Sequence, residues 1–459
     1  MKEKIRQALI DIVGEENYTD EVIDLISYSS DTSEHRHRPD GAVWAMNTEQ
    51  VSKILKLANE QGFPVTPRGA GTGYAGGAVP EMGGIVMDMS RMNKILKISI
   101  DDRLVVVQPG VVYAKLAEAL APYGFSFPPD PASGKAATLG GNVATNAGGL
   151  KGAKYGTTRD YVLGLEVVLP DGDILRTGSS CMKCVSGYDL TRLFVGSEGT
   201  LGVVTEIILK INPKPEKAAA CSAAFDTLED AGKAISEVMR SGIVPSALEI
   251  LDDRCIVALN RDAGLALPEV AAMVFAEADG HTAGEVAHQL DRIIEVFQKN
   301  KATAIKRAES AMEMEKLWTA RKSIGGILFR ISRNYLAEDV TVPISRVPEM
   351  LKGIQEISKR HDILIATLGH LGDGNLHPNI IFDGRDPEQA ARAERAVNDL
   401  FKLAIEKNGT LTGEHGIGLA KAPFMKLEHD AVAMGVMSKI KKLFDPNNIL
   451  NPGKMALEV

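Results

Sequence analysis

The 459-residue chain has little cysteine, no long apolar run and no surplus of basic charge, and each shortage closes off a class of protein. Four cysteines cannot frame a disulfide scaffold in a chain of this length. Cys181 and Cys184 form a CxxC, which reads as a redox or zinc pair. No second pair joins it, Cys221 and Cys255 stand apart, and a structural or incidental pair is the better reading. A complete iron–sulfur ligand set is also missing. No stretch approaches the roughly 18 apolar residues that span a bilayer, so the chain is read as not transmembrane. The start interleaves Lys2, Lys4 and Arg6 with Asp11, Glu15 and Glu16 instead of building the apolar centre of a secretory signal. A cytoplasmic location is the expectation, with peripheral docking at a membrane through a partner left open. The net charge of -8 offers nothing to a phosphate backbone, so no nucleic acid is expected.

Glycine is what the chain has in quantity. There are 44, many clustered between residues 69 and 84 and between 134 and 156, where a side chain would block a backbone turn or a ligand's approach. The remaining composition is that of an ordinary globular protein, and the length suggests two or three domains. An amphipathic helix, KEKIRQALIDIVG, opens the chain and a polar segment follows to Pro39; together they read as an appended N-terminal arm. From Ala42 a strand, a helix VSKILKLANEQG closed by Gly62, a strand FPVTP and a glycine-rich turn give a βαβ rhythm. Further strands are predicted at GGIVMDM, KILKISI, DDRLVVVQPG, YVLGLEVVLPDGDILRTG and LGVVTEIILKINP, with Asp171-Gly172 as a hairpin turn. NPKPEK reads as a linker. Beyond it, long helices alternate with isolated strands such as AAMVFAEA and DILIATLGHLG, the pattern of an α+β domain with helices over an antiparallel sheet.

The glycine runs carry the first chemistry. From Thr66 to Gly77, glycines let consecutive N–H groups turn inward into an anion-binding nest suited to a pyrophosphate. No amphipathic helix begins at the end of the run and no acidic residue sits at the ribose-binding distance, so this is not a Rossmann fingerprint. Alone, it reads equally well as a flexible surface loop. A second run, from Pro129 through Ser133, Thr138 and Asn142 to Gly149, supplies hydroxyls, amides and bare backbone without net charge, a surface for a large planar cofactor. A third, Gly196 to Gly202, stands before the apolar strand VVTEIIL. Structural turns are the bland reading of each.

These runs, with KYG at 154–156 and GYDLTRLFVGSEGTLG from Gly187, resemble the FAD-binding domain of the vanillyl-alcohol oxidase/p-cresol methylhydroxylase flavoprotein family. The nearest branch holds D-lactate dehydrogenase and the glycolate oxidase FAD subunit, with D-2-hydroxyglutarate dehydrogenase close by. The resemblance implies an α+β fold: a two-lobed FAD-binding domain of the p-cresol methylhydroxylase type plus an α+β cap domain with an antiparallel sheet. It divides the chain into an N-terminal helical arm (1–37), the FAD-binding domain (38–217), a substrate or cap domain (218–420) and a C-terminal segment (421–459) returning to the FAD domain. By residue, Pro67, Arg68, Gly69, Ala70, Gly71, Thr72, Gly73 and Gly77 match the pyrophosphate loop. Pro131, Ser133, Thr138, Gly141, Asn142, Thr145, Ala147, Gly148 and Gly149 match the second cofactor run. Glu198, Gly202, Val203 and Val204 match the segment beside adenosine, and Asn451 the returning tail. No histidine stands in the glycine runs, so non-covalent FAD is expected.

A second set of residues could act on a substrate. His370 and His377 flank Leu371 to Leu376; a spacing of seven puts them on opposite faces of a straight strand, but the central GDGN is a strong turn that lets the chain reverse and bring both imidazoles together. Glu414 and His415 stand side by side in TGEHGIG. Two imidazoles and a carboxylate make a ligand set for a divalent metal, Fe2+, Zn2+ or Mn2+, with positions open to a hydroxy acid. Spacing alone favours hydrogen-bonded turn histidines and a solvated glutamate. The resemblance to the hydroxyglutarate branch reverses that preference, implying His370, His377 and Glu414 as metal ligands and His415 as the catalytic base. Arg321 resembles an arginine with which relatives hold the substrate carboxylate, where the residues alone also allow a surface helix position. The segment from Leu336 to Thr341 lacks the lysine with which that branch holds a second carboxylate, so a monocarboxylate is expected. The implied activity is an FAD-dependent dehydrogenase that oxidises a small 2-hydroxy acid, D-lactate before glycolate, to the 2-oxo acid. Electrons then pass to an external acceptor such as an electron-transferring flavoprotein, a quinone or an iron–sulfur subunit. The alternatives are a D-2-hydroxyglutarate dehydrogenase, a metal-dependent hydrolase and a non-catalytic electron-carrying flavin subunit; homo- or hetero-oligomer is left open.

Overall fold

In the computed structural model, which describes residues 2–308, 310–332 and 334–457, the stripe Ile5, Leu9 and Val13 of the helix Glu3–Val13 is buried. It shares a core cluster with Ile54, Leu55 and Ala58 of the helix Thr48–Gln61. Tyr18 and Thr19 then pair with Val43 and Ala42, adding an edge strand to a sheet. The segment expected as an appended arm over 1–37 is therefore built into the fold, because an amphipathic helix must bury its apolar stripe against something. A further helix, Val22–Tyr28, occupies the stretch read only as polar.

The chain forms two units. One comprises the residues up to Gly148, Thr157–Lys214 and everything from Glu414; the other comprises Gly149–Gly156 and Pro215–Gly413. One crossing falls inside NPKPEK, and the return comes at Glu414, ahead of the expected 421. The excursion Gly149–Gly156 was not foreseen. Asp279 anchors it within the second unit, where it accepts from Tyr155 Oη at 2.9 Å, while Lys154 Nζ donates to the Asp279 carbonyl at 3.0 Å.

The first unit holds a four-stranded sheet, a five-stranded sheet and a short pair, Phe125–Ser126 with Asn212–Pro213. The four-stranded one sets Gly41–Trp44, Ile85–Asp88 and Val65–Arg68 in parallel, with Tyr18–Thr19 at its edge. Its helix Thr48–Gln61 starts on the Asn47 side chain, which accepts from the Gln50 amide, and stops at left-handed Gly62. The C-terminal tail lies along the open edge: Val65 N–H donates to the Ile449 carbonyl at 2.7 Å and Asn451 N–H to the Val65 carbonyl at 2.9 Å. The five-stranded sheet is antiparallel, in the order Ile95–Ser99, Leu104–Val107, Val203–Lys210, Val162–Val168, Ile174–Gly178. Gly172 makes the last hairpin turn at φ +86°, which a side chain would resist.

An eight-stranded antiparallel sheet forms the second unit's centre. Its middle strands run Lys217–Phe225, Ala272–Gly280, Ala247–Asp252, Leu364–His370 and Asn375–Phe382. The helices Asp253–Ala263 and Ala311–Ile331 cover the face that carries Leu251, Phe275 and Leu368. This is the α+β arrangement that the alternation of long helices and isolated strands requires. No helix among the described residues is long and apolar enough to cross a membrane.

Candidate functional site

In the first unit the three glycine runs meet around one cavity of about 330 Å3. Every residue expected at the cofactor lines it except Gly148, Gly149 and Asn451. Gly149 belongs to the second unit. Gly148 serves its neighbour instead, since a Cβ there would lie 2.9 Å from Glu414 Oε2. Asn451 sits behind the wall, its side-chain amide donating to the carbonyls of Gly77 at 2.9 Å and Glu198 at 2.7 Å, so the tail ties two of the runs together.

Local geometry makes this a cradle for a large ligand. A Cβ at Gly73 would meet no protein atom within 4 Å, whereas one at Gly69 would strike Thr138 Oγ1 at 2.2 Å, where the first two runs touch. Backbone thus stands bare toward the opening and close-packed behind it. Asn142 is buried in the wall, and its Nδ2 has no hydrogen-bond partner among the described residues, a donor waiting for a ligand acceptor. Arg68 is the cavity's cation: it lies 5.6 Å from the Tyr28 ring centroid and donates to the Ala78 carbonyl at 3.3 Å. Burial lowers its pKa from the ordinary value, with Asp31 and Asp88 pulling the other way. The residues present fit a dinucleotide whose pyrophosphate needs N–H donors and one positive charge.

Glu414 and His415 line the same cavity. The His415 ring stacks on Tyr74, centroids 4.9 Å apart and planes 22° from parallel. The turn after His415 is fixed by Glu198, whose two carboxylate oxygens accept from the amides of Ile417 and Gly418, each at 2.7 Å. Burial pushes the Glu198 carboxyl above the usual range, and those two amides oppose it. Glu198 thus lines the cavity and also positions the segment that carries His415. Gly418 is left-handed, at φ +49°, and packed against the Ala75 carbonyl, which a Cβ would approach to 2.0 Å.

The second unit carries the other three candidates. Glu249 pairs with His370 across one pair of strands, His370 with Asn375 across the next, and His377 lies two residues beyond Asn375. Side chains alternate along a strand, so all four share one face of the sheet. The hairpin therefore removes the straight-strand objection to a spacing of seven: the two imidazoles lie 5.0 Å apart, centroid to centroid, with planes at 82°. Arg321 joins them from above. It sits on the buried stripe of the helix Ala311–Ile331 with Trp318 and Ile324 and is only 8% exposed, so it is not a surface helix residue.

Buried carboxylates organise the cluster. Glu249 Oε1 lies 2.7 Å from His370 Nδ1, and Glu249 Oε2 accepts from Arg321 Nε at 2.7 Å. Asp339 Oδ1 stands 3.9 Å from His377 Nδ1, while its other oxygen accepts from Thr412 Oγ1 at 2.6 Å and Gly413 N–H at 2.9 Å. An imidazole whose Nδ1 faces a carboxylate presents Nε2 as its ligand atom, which is how metal-binding histidines are commonly oriented. This donor chemistry fits a divalent metal.

Sequence reasoning missed Asp31, Tyr74 and Ser197, which also line the cavity, and the carboxylates Glu249 and Asp339. A lone acid inside the apolar stretch Ala247–Asp252 was the available signal for Glu249. The cysteines are all free, Cys181 and Cys184 exposed and Cys221 and Cys255 buried.

Residues 39–178 match the model of an FAD binding domain, and residues 214–455 match that of the C-terminal domain of FAD linked oxidases. The chain is 42% identical to the glycolate oxidase subunit GlcD of Bacillus subtilis over 98% of its own length and 96% of that relative's. It is 37% identical to the mitochondrial D-lactate dehydrogenase [cytochrome] of Arabidopsis thaliana, over 91% of this chain and 73% of that one. A solved p-cresol methylhydroxylase superposes with TM-score 0.83 at 20% identity, covering 99% of this chain and 96% of its own, which shows a shared fold.

Proposed function

This chain belongs to the FAD-linked oxidase family and is an FAD-dependent oxidoreductase; we propose that it oxidises a small 2-hydroxy acid, D-lactate or glycolate, to the 2-oxo acid. The observation that carries the reading is His415, stacked on Tyr74 in the wall of the cavity that the three glycine runs enclose. Oxidation of a hydroxy acid removes the hydroxyl proton while hydride leaves the adjacent carbon, and an imidazole beside the flavin site suits the first task near neutral pH. FAD, held without a covalent bond, supplies the hydride acceptor.

In this proposal Arg321 grips the substrate carboxylate, since Glu249 occupies only its Nε edge. His370, His377 and Glu414 hold a divalent metal, Fe2+, Zn2+ or Mn2+. Such a metal supplies Lewis acidity that lowers the pKa of the substrate hydroxyl. Glu338 is buried and the stretch Leu336–Thr341 has no lysine, which supports a substrate with one carboxylate over a dicarboxylate. Electrons pass to an external acceptor, an electron-transferring flavoprotein, a quinone or an iron–sulfur subunit; similarity to relatives described as an oxidase subunit and as a cytochrome-linked dehydrogenase supports such a partner.

Anaerobic mixing of the yellow protein with D-lactate, L-lactate, glycolate and D-2-hydroxyglutarate tests the reading. Rapid bleaching by D-lactate or glycolate is expected, and the relative rates decide the order between them. A protein that stays colourless with added FAD, or a flavin that none of these acids bleaches, overturns it.

A further inference from the structure

We propose that Glu249 is a positioning residue that holds the imidazole of His370 and the guanidinium of Arg321 on one carboxylate, so that metal ligand and substrate clamp keep a fixed mutual geometry. The inference rests on the function proposed above and deepens it.

Three observations carry it. Glu249 is fully buried in a strand whose neighbours Leu248, Ile250 and Leu251 are apolar, and an acid there is costly unless paired. Its partners come from two different elements. His370 is its direct cross-strand neighbour, set at the end of the strand Leu364–His370. Arg321 reaches it from the covering helix, three residues after Trp318. Finally, the two bonds use different oxygens, Oε1 for the imidazole and Oε2 for the Arg321 Nε, both at 2.7 Å. No neutral side chain reproduces that. Glutamine offers one acceptor and one donor, so it can satisfy either the Nδ1–H or the Nε–H but presents its own N–H to the other.

A merely structural role predicts something different. Buried ion pairs are commonly replaceable by apolar groups without loss of stability, so packing alone does not call for a two-sided acid at this point. What the carboxylate adds is orientation: Nδ1 of His370 is held, which leaves Nε2 as the ligating atom, and the guanidinium is held by its Nε, which leaves its Nη atoms for a substrate carboxylate. Asp339 stands in a looser version of the same relation to His377, at 3.9 Å.

Glu249→Gln and Glu249→Asp test this, with Zn2+ and Mn2+ as probes competed against a chelator, and with KM and kcat measured separately for the acid that best bleaches the wild-type flavin. Glu249→Gln is expected to weaken metal binding by roughly 10- to 100-fold, the range found when a partner behind a metal-bound histidine is lost. KM should rise as Arg321 swings free, while FAD content stays at the wild-type level. Glu249→Asp keeps two acceptors on a shorter arm and should recover part of both losses. If wild type takes up metal and turns over, and both variants match it in metal affinity and KM, the inference fails alone. If both variants instead lose thermal stability with metal affinity and KM unchanged, Glu249 is structural and the inference again fails. A wild-type protein that takes up no metal and is reduced by no hydroxy acid overturns the proposed function and takes this inference with it.

Discussion

His377 and His415 belong to different units and should fail differently when removed. His377→Ala is expected to lose bound metal and turnover while retaining FAD, read by elemental analysis alongside the flavin spectrum. Unchanged metal content and rate would remove His377 from the ligand set. His415→Ala should keep its metal and its yellow colour but slow anaerobic flavin reduction by about 10²- to 10⁴-fold, the usual contribution of a positioned base. A near-normal rate in stopped flow contradicts the assignment. Gly418→Ala puts a side chain at φ +49° and 2.0 Å from the Ala75 carbonyl, so it should cost about 1–3 kcal/mol of stability and loosen FAD. Urea unfolding and flavin retention check it together. At this scale the glycine runs were legible because backbone that turns left-handed, as at Gly71, or packs closely behind the opening, as at Gly69, resists a Cβ. Glu249 was not, because its partners lie far along the chain and a single acid in an apolar strand names none of them.

Among the elements, the helix Glu3–Val13 tests whether the N-terminal segment is an arm or part of the core. Leu9 is fully buried, so Leu9→Ala should destabilise the first unit by about 2–5 kcal/mol. A change near zero would restore the picture of an appended arm. The returning tail offers a second test. Asn451→Ala removes the donors to the Gly77 and Glu198 carbonyls, with an expected cost of about 1–3 kcal/mol and faster FAD release. Release no faster than in wild type would separate the tail from the cavity. Elements with a strong period, such as the helix Thr48–Gln61 and the hairpin at Asp171-Gly172, were readable because local pattern and turn chemistry agree there. The helix Val22–Tyr28 was not: Val22, Ile23 and Ile26 are exposed, so it lacks the apolar-in, polar-out stripe by which a helix is recognised.

At the scale of the whole molecule, the glycine-walled cavity lies within one unit and the His370, His377, Arg321 cluster within the other. Stripping FAD should raise hydrogen exchange in residues 69–77, 138–145 and 196–202 and leave the eight-stranded sheet of the second unit nearly unchanged. Equal deprotection of both units would show that the cofactor stabilises more than the unit that lines its cavity. The glycine runs, histidine turn and returning tail, taken in their order, were enough to place the chain in its family, and that resemblance, more than the chemistry of any one residue, supplied the candidate residues. Whereas the turn between His370 and His377 already pointed to their meeting, tertiary structure alone decided that 149–156 leaves the first unit for the second, and that one buried acid serves both His370 and Arg321. Those facts depend on strand register and on contacts between residues far apart in the chain, and a one-residue slip that leaves the local pattern almost intact would reverse every face.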